Sequence, residues 1–127
     1  MKKLLLSASL INLAVAVVHI VIGEMAVVAP LLASDAPDLV QATLHAAWHM
    51  ISVVLLLSSF ALFRASREDG VDPDAGALPT YIGVQYIALA LVFVVASVVY
   101  GQAFIQILML LPIGILAFRA GRLARKP

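Results

Sequence analysis

Of the 127 residues in the chain, 64% are hydrophobic and only 12% charged, and the mean hydropathy is +1.11. That leaves too little polar material to coat a soluble globule of this size, so the composition reads as an integral membrane protein. Cysteine is absent, which excludes disulfides, thiolate metal sites and iron–sulfur clusters, and the formal net charge of +1 says little until the positions of the charges are considered.

Four apolar runs are long enough to approach the roughly 20 helical residues that a hydrocarbon core requires. They predict an all-α membrane protein, a single domain over residues 1–127. The helices fall at about residues 4–32, 38–63, 80–100 and 103–119 and are arranged as an antiparallel four-helix bundle. The runs do not alternate apolar and polar residues, so a membrane β-barrel does not fit, and helices are the remaining way to satisfy the backbone in lipid. All eight Lys and Arg residues fall at one side of this arrangement. Lys2 and Lys3 precede the first helix, Arg64 and Arg67 follow the second, and Arg119, Arg122, Arg125 and Lys126 follow the fourth. The positive-inside rule therefore places both termini and the central linker, residues 64–79, in the cytoplasm. The basic tail is short and juxtamembrane, so anionic lipid headgroups explain it better than nucleic acid does.

The first sixteen residues carry two lysines, an apolar core and a small-residue triplet, as a signal peptide would. The apolar run continues well past any cleavage site, so it is expected to be an uncleaved first helix. Asn12, Ala16, His19 and Gly23 fall on one stripe of that helix, which should face protein, with Pro30 near its outer end. Ser34, Asp35 and Pro37 are expected to open the second helix. That helix carries Gln41, His45, His49, Ser52 and Ser59 on one stripe, with Trp48 one position away as an interfacial residue. The linker then turns charged and is broken by Gly and Pro. Its Asp69, Gly70, Asp72 and Asp74 resemble fragments of a calcium loop but lack the spacing, so a solvated connector is expected. In the third helix Gln85 follows Tyr81, and after a tight turn at Gly101 and Gln102 the fourth helix carries Gln106. Buried amides such as Gln85 and Gln106 need interhelical partners.

The stretch from His19 to His49 holds every histidine and also Glu24. In a helical hairpin turning near Ser34 and Asp35, paired positions have a near-constant sum, which sets His19 level with His49 and Glu24 level with His45. His45 and His49 are neighbours one turn apart. With His19 and Glu24 they form a reasonable ligand set for zinc, copper or iron. One difficulty is angular. On an ideal helix Glu24 is rotated about 140° from His19, so it would stand beside the ligands rather than among them unless Gly23 and the proline distort the helix. Asn12 and Ser52 are the polar neighbours that would support the cluster, and Gln85 and Gln106 supply further binding groups. Two readings stay open beside a metal site. One is a structural or accessory subunit in which the cluster only locks the helices together. The other is a haem or quinone site built from His, Gln and Tyr against an aliphatic slot. No nucleophile elbow or activated serine is suggested, so an enzyme is not favoured. The Gly and Ala stripes invite a homo-oligomer or a larger membrane complex in the lipid bilayer.

His19-x-x-x-Gly23, Pro30-Leu31-Leu32-Ala33-Ser34-Asp35, Trp48-His49 and Leu111-Pro112-Ile113-Gly114 carry a resemblance across the whole chain. It is similar to a group of small, functionally uncharacterised four-span bacterial membrane proteins. The resemblance implies a bacterial inner membrane and brings no activity, substrate or cofactor with it.

Overall fold

The computed structural model describes residues 1–67 and 75–124. Four helices long and apolar enough to cross a membrane make up almost all of this: α1 Lys2–Leu32, α2 Asp38–Arg67, α3 Ala77–Tyr100 and α4 Gln106–Ala124. They run further than the hydropathy suggested. Arg64 to Arg67 continue α2 and Ala77 to Pro79 open α3, so helix takes both ends of the expected linker. The calcium-like aspartates Asp69, Asp72 and Asp74, and the tail residues Arg125 and Lys126, lie outside the described residues.

The connections also differ from expectation. Ser34 closes α1 rather than opening α2: its hydroxyl donates to the Leu31 carbonyl at 2.7 Å and accepts from the Ala36 N–H at 3.3 Å. Gln41 then staples the loop, donating to the carbonyls of Ser34 at 3.0 Å and Ala36 at 2.9 Å. These bonds settle backbone acceptors that a helix end leaves unpaired. At the other turn Gly101 takes the left-handed conformation, φ 63°, which ends α3. Residues 102–105 separate it from α4, a longer connection than the tight turn expected.

α1 packs on both α2 and α4, and α3 packs along α4, whereas α2 scarcely touches α3. The α1–α2 contacts are ordered. Ser9 donates to the Ser59 carbonyl at 2.9 Å, Asn12 to the Leu55 carbonyl at 3.1 Å, and His19 Nε2 lies 3.3 Å from the Trp48 carbonyl. Residue numbers fall on α2 as they rise on α1, with the near-constant sum that the hairpin register required. The α3–α4 contact is made through glycine. A Cβ added at Gly83 would lie 2.5 Å from the Phe118 amide nitrogen, and one at Gly114 would lie 3.0 Å from the Gly83 carbonyl. Small residues let the two backbones touch, as membrane helices do where no hydrophobic force drives them together.

The tightest packing gathers toward the end that carries Lys2, Arg67 and Ala124. Leu5, Ala8, Leu62, Ile82, Ile113, Ala117 and Ala120 are buried there, with Ser9, Ser59 and Ser66 among them. Ser59 and Ser66 return their hydroxyls to carbonyls of α2 itself, so they are satisfied without a partner helix. One polar contact joins three helices. Asn12, fully buried on α1, accepts a 3.0 Å hydrogen bond from the Tyr86 hydroxyl of α3 while its amide donates to α2. The outward faces are aliphatic: Leu10, Leu57, Val92, Val98 and Leu108 are all more than half exposed, which suits hydrocarbon rather than water.

Two measurements test this packing. Gly83→Ala is expected to destabilise the protein by about 1–3 kcal/mol, because the new methyl meets backbone that cannot swing away. It would be read from unfolding in denaturing detergent. A double-mutant cycle with Asn12→Ala and Tyr86→Phe is expected to give a coupling of about 0.6–1.7 kcal/mol, whereas additive effects would deny the contact.

Candidate metal centre

The polar cluster is assembled at the opposite end from the core, where α1 changes its winding. From His19–Val28 the helix is a π-helix, and it returns to α geometry over Ala29–Leu32. The Ala29 N–H reaches back five residues to the Glu24 carbonyl. Two residues account for the local change. Pro30 has no N–H to give, and in α geometry its ring crowds the carbonyl four residues back, a crowding that a wider turn relieves. Gly23 has no side chain, and the Trp48 ring of α2 occupies the space where its Cβ would be.

The π-turn answers the angular difficulty posed by the sequence. With hydrogen bonds running five residues rather than four, His19 and Glu24 stand about one turn apart and share a face. Glu24 thereby meets α2 and lies 3.8 Å from His45 Nε2. His45 in turn lies 3.0 Å from His49, Nε2 to Nε2, with the ring centroids 4.7 Å apart. The three ligand atoms of Glu24, His45 and His49 all fall within 4.8 Å of one another. Tetrahedral ligation with bonds of about 2.0–2.2 Å sets neighbouring donors about 3.3 Å apart, so the two imidazoles stand near that spacing and the carboxylate would have to move inward to join them on one ion.

Each remaining predicted residue has a definite place. His19 does not join the three ligands. Its ring is stacked on Trp48, centroids 4.0 Å apart and planes 15° from parallel, and its Nε2 is directed to the Trp48 carbonyl. Ser52 donates to that same carbonyl at 3.3 Å, so it supports the stacked pair rather than the ligands. Asn12 belongs to the core contact described above. Gln85 is half-buried on α3, away from the cluster, and Gln106 begins α4 and lines a cavity beside His19.

Two residues matter more than their sequence context suggests. Trp48, expected as an interfacial residue, is half-buried, carries the His19 ring and leaves its indole N–H buried without a hydrogen-bond partner among the described residues. Its position beside His49 on a histidine-bearing stripe was the available signal. Tyr86, which the sequence pattern does not single out, is fully buried. Gly83 and Ala90, three positions before it and four after, mark the face on which it packs.

Placement along the helices decides what a charge costs here. Glu24 lies about 30 Å along α1 from Lys3, and His45 about 28 Å along α2 from Arg64. Those spans match the hydrocarbon thickness of a bilayer, so in a membrane with one boundary at the basic residues the cluster would lie near the other boundary. Glu24 and His45 keep 41% and 34% of their side-chain surface exposed. An ionised group at that depth avoids most of the penalty it would meet at the bilayer centre.

Gly23→Ala forces the Trp48 ring off its seat. Because Trp48 is the single tryptophan of the chain, the expected result is a shifted emission maximum and a weakened near-ultraviolet circular dichroism band. Unchanged spectra would show that the ring is not held against Gly23. Comparison of the chain with protein-family models, with curated proteins and with solved structures finds no match.

Proposed function

We propose that this is a four-span antiparallel protein of the bacterial inner membrane, with both termini cytoplasmic, that binds one transition-metal ion at Glu24, His45 and His49. The observation that carries the metal reading is the convergence of three ligand atoms within 4.8 Å at a partly exposed position. A cluster serving only to lock helices belongs in the core, and the core already has such a lock in Asn12, Tyr86 and the Leu55 carbonyl. The donor set of two imidazoles and one carboxylate suits zinc, copper or iron. It favours an ion over haem. His45 and His49 lie one turn apart on a single helix and aim Nε2 at the same point, not at opposite faces of a macrocycle.

The 3.0 Å Nε2–Nε2 contact requires a proton between the two rings, with one ring donating and the other accepting. A bound ion would take both Nε2 lone pairs, the donor ring carrying its proton on Nδ1 instead, so it would replace the hydrogen bond between the rings without changing their charge. Three protein ligands leave a further coordination position, on the side where His49 is exposed. An ion held there can exchange with the aqueous phase facing that end, which suits handling of the metal, and it can accept a fourth ligand if the site is used for redox. The direction of the positive-inside rule makes that aqueous phase the periplasmic side.

Elemental analysis of the detergent-purified protein, stripped and then equilibrated separately with zinc, copper or iron chloride, tests this. About one ion per chain is expected for the unmodified protein. The His45→Ala/His49→Ala variant should lose it while keeping its helical circular dichroism, and Glu24→Gln should weaken it by about tenfold or more. His19→Phe should retain the ion. An unmodified protein that holds no zinc, copper or iron above background would refute the reading, as would equal binding by the double variant.

A further inference from the structure

Three helix ends meet at the tightly packed end of the bundle. The start of α1 and the ends of α2 and α4 are joined there through Leu5, Ala8, Leu62, Ala117 and Ala120. Every described Lys and Arg lies on these ends, and Lys2, Lys3, Arg64, Arg67, Arg119 and Arg122 are all exposed. The described carboxylates, Glu24, Asp35 and Asp38, belong to the other end. The linker contributes Glu68, Asp69, Asp72 and Asp74 in sequence, which still leaves a basic excess because all eight Lys and Arg gather on this side. Cations there serve topology wherever they fall around the rim. Three observations show a more particular arrangement.

The first is register. Ser9 meets Ser59 and Asn12 meets Leu55, and the same register continued to the helix ends sets Lys3 level with residues 64 and 65 of α2. Lys3 therefore stands at the same height as Arg64 along the α1–α2 junction, with Arg67 one turn further on the Arg64 face. The second is what lies beneath the charges. Phe60, Phe63, Arg64 and Arg67 share one face of α2, and the two rings are 60% and 37% exposed. On α1 the exposed Leu6, Leu10 and Leu13 continue from Lys3 in the same way. The Arg67 guanidinium lies 5.3 Å from the Phe63 ring centroid, which keeps it down on the lipid-facing surface. Each helix thus presents an apolar stripe that ends in cations at headgroup depth. The third is the helix dipole. Arg64 and Arg67 complement the negative end of α2, but Lys3 lies in the first turn of α1, whose positive end has no acidic residue and no side-chain cap. Lys3 is opposed by its own helix, so capping does not account for it, whereas an external anion would be attracted by both.

We propose that Lys3, Arg64 and Arg67 bind the headgroup of one anionic phospholipid of the cytoplasmic leaflet. Its phosphate lies between the ends of α1 and α2, where guanidinium groups can take phosphate oxygens in pairs of hydrogen bonds. Its chains run along the Phe60–Phe63 and Leu6–Leu10 stripes. Those stripes select a lipid over a nucleic acid or free phosphate, neither of which has an apolar part to lay on them. Nothing in this site depends on the metal centre at the other end.

Native mass spectrometry of the detergent-purified full chain tests it, with phosphatidylglycerol or phosphatidylcholine of the same acyl chains added. About one phosphatidylglycerol per chain is expected, held about tenfold more tightly than phosphatidylcholine. Arg64→Gln/Arg67→Gln should erase that preference. Arg119→Gln/Arg122→Gln removes the same charge from the same end of the bundle and should leave the preference in place. If the α2 variant does not fold, Lys3→Gln probes the site from the other helix and should cut the preference by about threefold. Equal affinity of the unmodified protein for the two lipids would overturn the proposal. So would an equal loss in the two double-arginine variants, which would mean a diffuse basic field rather than a site.

Discussion

The fold depends on one buried amide. Asn12 has no water to turn to and meets the helices on both sides of it, giving its N–H to the Leu55 carbonyl and taking the Tyr86 hydroxyl proton. Because α2 and α3 scarcely pack on each other, this contact gives the α1–α2 pair a directional tie to the α3–α4 pair. Aliphatic contacts alone would let the pairs slide, since lipid tails are as good a neighbour for leucine as another leucine is. A hydrogen bond in hydrocarbon has no such substitute.

Fixing the bundle there divides it into a tightly packed end and an end that carries the polar cluster. Around and below Asn12 the helices approach through Ala8, Gly83, Gly114 and Ala117, and the space is filled. Beyond His19, α1 takes a π-turn and a cavity opens between the α1–α2 pair and the start of α4. Tight closure at one end is what permits openness at the other, because stability need not come from the region that holds the polar groups. The Glu24, His45 and His49 cluster can therefore stay partly exposed, and the cavity can remain open, without the core being asked to tolerate either.

Much of this was legible in the sequence, and the reasons are physical. Span number follows from run length and composition. The α1–α2 register follows from arithmetic on a hairpin, and Ser9–Ser59, Asn12–Leu55 and Glu24–His45 all obey it. What could not be read was the winding of α1. Nothing in the period of its side chains announces a π-helix, because the change of winding goes with Pro30 and with a tryptophan from another helix seated on Gly23. That single unread feature decided two site residues in opposite ways: it brought Glu24 to the histidines and left His19 for Trp48. The cavity was equally hidden, because it depends on which helices fail to touch, and sequence patterns report contacts more readily than gaps.

The four helices are unequal. α1 and α2, of 31 and 30 residues, are about 45 Å long, while α3 and α4, of 24 and 19, are about 36 and 28 Å. A bilayer in contact with both pairs faces two different hydrophobic heights around one perimeter, and it accommodates such mismatch by tilting the long helices or by thinning beside the short ones. Thinning would fall along the α3–α4 flank, close to the turn at Gly101. The protein would then act on its lipid surroundings asymmetrically, drawing the headgroup plane down on one flank and leaving the α1–α2 tip standing above it.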